Sequence, residues 1–202
     1  MAAMSEARPL PLYWRWLEAW FRRVYRMEPL NDDPDCLFAF NLYRYRGPEV
    51  RLQCGGVVRA GDTVLEIHFR REALLPLIQS GDPAKMGLGL VRMGDRDIPR
   101  LAESLERDPR LREVRALHAL TLFHRGISRY GFEVREVEQP HLERWFTWWH
   151  RLLMARDHAR GAERVRPHVE TLVTKHVWIS RDELVRLFGE NGVRRRKPVA
   201  RG

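Results

Sequence analysis

The stretch Gly61–Leu75, GDTVLEIHFRREALL, decides how this chain is read. Gly61-Asp62 is a turn pair, and it opens a run of alternating residues. Successive side chains of a strand point to opposite faces. Thr63, Leu65, Ile67 and Phe69 therefore share one face, which reads as the core face. Val64, Glu66 and His68 share the other, which is either the solvent side of the strand or part of a site. Arg70-Arg71 lead into a short helix over Arg71–Gln79, stopped near Gly81.

Upstream, LFAFNLYRY (Leu37–Tyr45) reads as an aromatic strand broken by Gly47-Pro48. Val50–Gln53 and Val57–Arg59 are short extended pieces around Gly55-Gly56, so the region is a hairpin or meander. Earlier still, Leu12–Met27 has helical spacing. Tyr13, Trp16, Leu17, Trp20, Phe21, Val24 and Met27 lie on one face, with Arg22 and Arg23 off it. Downstream, GDPAKMGLGLVRMG (Gly81–Gly94) reads as a glycine-rich connection, followed by a helix over Asp97–Arg107. Arg115–Phe123 and Phe132–Val137 read as strands, with a helical turn from Gly126 to Tyr130 between them. Pro140–Arg156 is an amphipathic helix with Leu142, Trp145, Phe146, Trp149, Leu152 and Leu153 as its apolar face. A short strand and a last helix follow, the helix opened by a Ser180/Glu183 capping box and stopped at Gly189.

This order predicts an α+β domain. A small mixed or antiparallel sheet is flanked by helices, and aromatic amphipathic helices lie near both ends. Residues 1–11 read as a flexible lead-in, 12–190 as a single domain and 191–202 as a basic disordered tail.

Composition narrows the class. The chain has 202 residues, 44% of them hydrophobic, which is enough for one compact core. Its net charge is +9, and five of those charges (Arg194, Arg195, Arg196, Lys197 and Arg201) sit in the tail. Two cysteines, Cys36 and Cys54, have no metal-ligand spacing and read as buried thiols, with a disulfide between them left open. A cytoplasmic setting is expected from the cysteine usage, with no leader-like apolar core in MAAMSEARPLPLYWRW and no long apolar run.

The segments CGGVVRAGDTVLEIHF (Cys54–Phe69), LHALTLFHRGISRYGFEV (Leu117–Val134) and VWISRDELVRLFG (Val177–Gly189) agree in order and spacing with one family. Through them the chain resembles the YkoP-like domain, a bacterial module found alone and attached to polysaccharide-deacetylase-type proteins. The resemblance spans most of residues 12–190 and implies a link to the cell envelope. It implies no catalytic residue, and the Asp and paired-His spacing of a deacetylase metal site is missing from the sequence.

Glu66 and His68, two apart on one strand face, are the first candidate pair, because a carboxylate beside an imidazole tunes its basicity. His124 and Arg125 follow the strand from Arg115, where strand ends and helix starts gather functional groups. Together Glu66, His68, His124 and Arg125 form a candidate acid–base cluster for an anionic substrate. The plain alternative is a solvated strand face, a half-buried histidine and a capping arginine. No spacing points to a metal or cofactor, and GLGLVRMG has the wrong glycine spacing for a nucleotide loop.

The Trp/Arg helices suit a membrane interface, and Trp14 and Trp148 fall outside the apolar stripes of their helices. Trp14, Trp148, Arg22 and Arg23 are therefore candidate membrane or partner contacts. The alternative is that these aromatic faces pack into the core. The leading expectation is a non-catalytic accessory protein at the cytoplasmic membrane face or with an envelope-associated partner. A small enzyme built on the Glu66 cluster is the second. Nonspecific nucleic-acid binding through Arg194, Arg195, Arg196 and Lys197 is the third, and it would weaken steeply with salt.

Overall fold

The computed structural model describes residue 16, residues 27–157 and residues 172–194. The expected helix over 12–27 lies outside the described residues except for Trp16 and Met27. Trp16 was expected on an apolar face, but it is helical and 76% exposed.

The strands are β1 (Glu28–Pro29), β2 (Phe38–Arg44), β3 (Val50–Arg51), β4 (Val57–Val58), β5 (Thr63–Phe69), β6 (Val114–Thr121), β7 (Glu133–Arg135) and β8 (Lys175–Ser180). The helices are α1 (Arg71–Gln79), α2 (Pro83–Arg107), α3 (Pro140–Asp157) and α4 (Arg181–Phe188). Six strands form one sheet in the order β1-β2-β5-β6-β8-β7, and β3 and β4 pair separately as a hairpin. The pairing is antiparallel except between β5 and β6. The fold is α+β with a mixed sheet, as the element order predicts.

Parallel neighbours need a crossover, and α1 and α2 supply it between β5 and β6. Leu65, Ile67, Leu117 and Ile179 on one sheet face pack against α1, α2 and α4 through Leu74, Ile98, Leu101, Leu105, Leu184 and Leu187. The opposite face is covered as well. Val64, Ala116 and Trp178 form a second core with Val50, Leu52 and Val58 of the hairpin. Val64 is completely buried, so the Glu66 side of β5 is not a plain solvent face.

The glycine-rich stretch is helical, contrary to the connection expected there. Asp82 caps α2 by accepting from Ala84 N and Lys85 N, and Pro83 stands in the first turn, where its missing N–H costs nothing. Two of the glycines serve close packing. A Cβ on Gly89 would meet the Leu77 side chain at 2.4 Å, and one on Gly94 would meet Tyr130 Oη at 2.7 Å. Tyr130 belongs to a 3-10 turn (Ile127–Tyr130) flanked by Gly126 and Gly131, both at positive φ, where a side chain would be strained.

Helix α3 sits differently from its apolar pattern. Among its described side chains Thr147 is the buried one, and Thr147, His150 and Arg151 hold the segment around Leu172–Thr174. Leu142, Trp145 and Leu152, expected to be packed, are exposed together with Trp148. Tertiary hydrogen bonds outweigh the aromatic stripe in setting how the helix faces the body.

Three smaller expectations also change. Both cysteines are free thiols, but only Cys36 is buried; Cys54 is exposed and donates to Ser180 Oγ. Ser180 caps α4 by accepting from Glu183 N, whereas the Glu183 carboxylate takes Arg186 rather than closing the box. Val193 and Arg194, inside the expected tail, bond back to α4 through Arg186 O and Leu187 O. Arg195, Arg196 and Lys197 lie outside the described residues.

One buried carboxylate ties α2 to the loop before β2. Asp97, fully buried, accepts from Leu37 N at 2.8 Å, from Arg96 through both carboxylate oxygens, and from Arg100 at 3.2 Å. Asp97→Ala leaves the Leu37 N–H unpaired in the interior and should cost about 2–4 kcal/mol in urea unfolding. Asp97→Asn keeps an acceptor for that N–H and should cost clearly less.

Candidate functional site

β5 and β6 are inner strands, so the polar residues on their second face are carried into the body of the protein. The pairing register sets Asn41 opposite Glu66, Glu66 opposite His118, His118 opposite Trp178, and Trp178 opposite Glu133. Directly paired residues project from the same face, so these side chains form a transverse row. His68 lies two residues along β5 from Glu66, and His176 lies two residues along β8 from Trp178. The hairpin covers one end of this face.

Within the row, His68 Nε2 lies 2.7 Å from Asn41 Oδ1 and 3.5 Å from Glu66 Oε2. Both neighbours are acceptors, so Nε2 carries a proton and donates it. Beside this pair runs a second chain. Tyr43 Oη is 3.3 Å from His118 Nδ1, and His118 Nε2 is 2.7 Å from His176 Nδ1. Trp178 stacks on the His118 ring at 4.2 Å, and Tyr45 meets Trp178 edge-on.

Burial and neighbours set the protonation states. Burial, with His176 adding to it, pushes His118 down to about 3. Burial, with His68 adding to it, pushes His150 down to about 4. Burial also lowers His176, partly offset by Glu138 and Glu66. These three rings are neutral at pH 7. Burial alone would raise Glu66, but the hydrogen bond and charge of His68, helped by His118 and Asn41, outweigh it and hold the carboxyl below its ordinary value. Burial keeps the Tyr43 phenol far above its ordinary value, so it remains an O–H donor.

A Tyr43 O–H donating to His118 Nδ1 makes His118 Nε2–H the donor to His176 Nδ1. The reverse direction satisfies the same two contacts. The chain can therefore pass a proton by switching both tautomers. Among the described residues, no group of three or more His, Cys, Asp or Glu side chains is arranged to hold a metal ion.

The four candidates fall in two places. Glu66 and His68 stand together in the row, with side-chain exposures of 17% and 21% that leave them reachable from solvent. β6 ends at Thr121, so its alternation does not carry His124 onto the face of His118. Burial, with Lys175 and Arg125 adding to it, lowers His124, partly offset by the Val173 backbone and Glu136. Arg125 is exposed and lines a different cavity. His118, His176, Tyr43 and Asn41 join the site although sequence reasoning did not select them. The period-two spacing of His118 and Leu120 was visible, but the register that sets His118 beside Glu66 was not.

A YkoP domain model matches residues 9–188. The chain belongs to the YkoP domain family. It is also 23% identical over 128 residues to the "Uncharacterized protein YkoP" of Bacillus subtilis (strain 168), covering 63% of this chain and 70% of that protein. No solved structure matches it significantly. The roles of the row rest on its geometry.

The neutral histidines make stability depend on acid. In the unfolded chain His118 and His150 take up a proton below about 6.5, whereas in the folded protein they do so only near 3 and 4. The unfolded state thus binds more protons in this window, and stability falls as pH drops from about 6.5. The loss at about pH 5 is on the order of 2 kcal/mol for each ring. Urea midpoints at pH 7 and pH 5 should show this drop, and His118→Gln should reduce it whatever its effect at pH 7.

Proposed function

We propose that this YkoP-domain chain is a small acid–base enzyme whose site is the polar row on the second sheet face. The observation that carries the reading is that two hydrogen-bonded groups, Asn41–His68–Glu66 and Tyr43–His118–His176, stand side by side on inner strands, with Glu66 paired opposite His118. Burying titratable groups costs free energy, and perturbed groups that remain reachable cluster at functional sites. Glu66 stays ionised beside His68 and holds its ring in one orientation. Tyr43, His118 and His176 form the path by which a proton taken up at the Tyr43 oxygen is relayed away, as the phenol proton passes to His118 and the His118 proton to His176. His124 and Arg125 are not needed for this scheme.

A nitrobenzisoxazole, which ring-opens when one proton is removed, reports a general base without a specific substrate. Turnover should fall by about 100-fold in Tyr43→Phe, which removes the oxygen that takes up the proton, and Glu66→Gln should lower it and shift its pH profile. Equal turnover in the wild type and both folded variants would sink the enzymatic reading.

A second reading rests on α3. Trp145 and Trp148 are 55% and 57% exposed, beside exposed Leu142 and Leu152. Rings at this exposure suit the headgroup zone of a bilayer, which supports attachment to an anionic membrane surface. Among the described residues, no helix is long and apolar enough to cross a membrane. Flotation with anionic vesicles should recover the wild type and several-fold less of a Trp145→Ala/Trp148→Ala variant. Equal recovery of both removes this reading. Trp14, Arg22 and Arg23 belong to the same reading but lie outside the described residues.

A further inference from the structure

A cavity lies away from the polar row, and no step of the acid–base scheme uses it. It has a volume of about 360 Å³ and sits where Phe69 ends β5 and Leu122 and Phe123 follow β6. These are the carboxyl ends of the parallel pair. In sheets with parallel strands, ligands bind in the crevice outside those ends. The volume falls in the range of about 300–1,000 Å³ typical of small-molecule sites.

The walls are mostly apolar, including Phe38, Phe69, Leu90, Phe123 and Ile127, and two charged side chains join them. Asp82 is already engaged, because its carboxylate caps α2. Arg125 is exposed, and among the described residues it has no hydrogen-bond or ion-pair partner. An unengaged guanidinium on an apolar wall matches a ligand with one anionic head and a hydrocarbon body. Guanidinium binds carboxylate and phosphate alike, through two parallel hydrogen bonds.

Gly87 is the third observation. It lines the cavity, and a Cβ built there meets nothing within 4 Å. Gly89 and Gly94 of the same helix are held small by Leu77 and Tyr130, but no described atom imposes this on Gly87. Glycine in a helix costs about 1 kcal/mol relative to alanine. At Gly87 it leaves the cavity wall open.

From these features we infer that the cavity binds a single-chain amphiphilic anion, with its head on Arg125 and its chain between α2 and the ends of β5 and β6. The site is independent of the polar row, so its failure leaves the acid–base reading untouched, and the reverse also holds.

Isothermal titration calorimetry of the full chain tests this with decanoate, decyl phosphate and decanol, each kept below micelle formation. Decanoate or decyl phosphate should bind at one site per chain, and decanol at least tenfold more weakly. The preferred anion separates a carboxylate ligand from a phosphate ligand. Arg125→Gln should weaken the anions at least tenfold and leave decanol unchanged. Gly87→Leu should fill the cavity and abolish binding while the thermal midpoint holds or rises, because leucine favours the helix. Gly87→Ala should retain binding. The inference is overturned if neither anion binds the wild type. It is equally overturned if folded Arg125→Gln and Gly87→Leu both bind like the wild type.

Discussion

The parallel pairing of β5 with β6 is the constraint on which the rest of the structure depends. Two parallel neighbours cannot be joined by a turn, so the chain must leave the sheet and return. α1 and α2 make that return, and their apolar sides complete the main core against Leu65, Ile67 and Leu117. β2 and β8 pair on the outer sides of β5 and β6, which makes both of them inner strands. Asp97 then fastens the crossover helix to the backbone entering β2.

Inner strands have little plain surface. The hairpin takes one end of the second face, so Val64 is as buried as Leu65. Glu66 and His118 cannot be freely solvated there. They meet the cost of burial by bonding to neighbours, Glu66 with His68 and His118 with Tyr43 and His176. The same burial holds His118 and His176 neutral and the Tyr43 phenol protonated. Thus the topology that stabilises the domain also produces the titration behaviour of the row. The crossover has a second consequence at the other end of the same strands, where α2 and the residues after β6 leave an apolar cavity beside Arg125.

How much of this was legible differs from residue to residue. Alternation in TVLEIHF sorted Leu65 and Ile67 from Glu66 and His68 correctly, because two-residue periodicity is local. The glycines of α2 misled, because Gly89 and Gly94 look like breakers until Leu77 and Tyr130 are seen pressed against them. The aromatic stripe of α3 pointed inward on its pattern, yet Thr147 and His150 set the orientation through Thr174. His124 and Arg125 were grouped with Glu66 because they follow the strand from Arg115, but β6 ends at Thr121 and its alternation does not reach them.

By itself the sequence determined the α+β class, the order of the main strands and helices, the core side of the central strand and, through its motif segments, the family. Each of these rests on local periodicity, turn chemistry or ordered motifs along the chain. Only the tertiary structure decided which strands are neighbours, that both sheet faces are covered, and that His118 and His176 rather than His124 stand with Glu66 and His68. The physical reason is that register is a relation between segments distant in sequence. Glu66 and His118 are 52 positions apart, and only backbone pairing across the sheet brings them side by side.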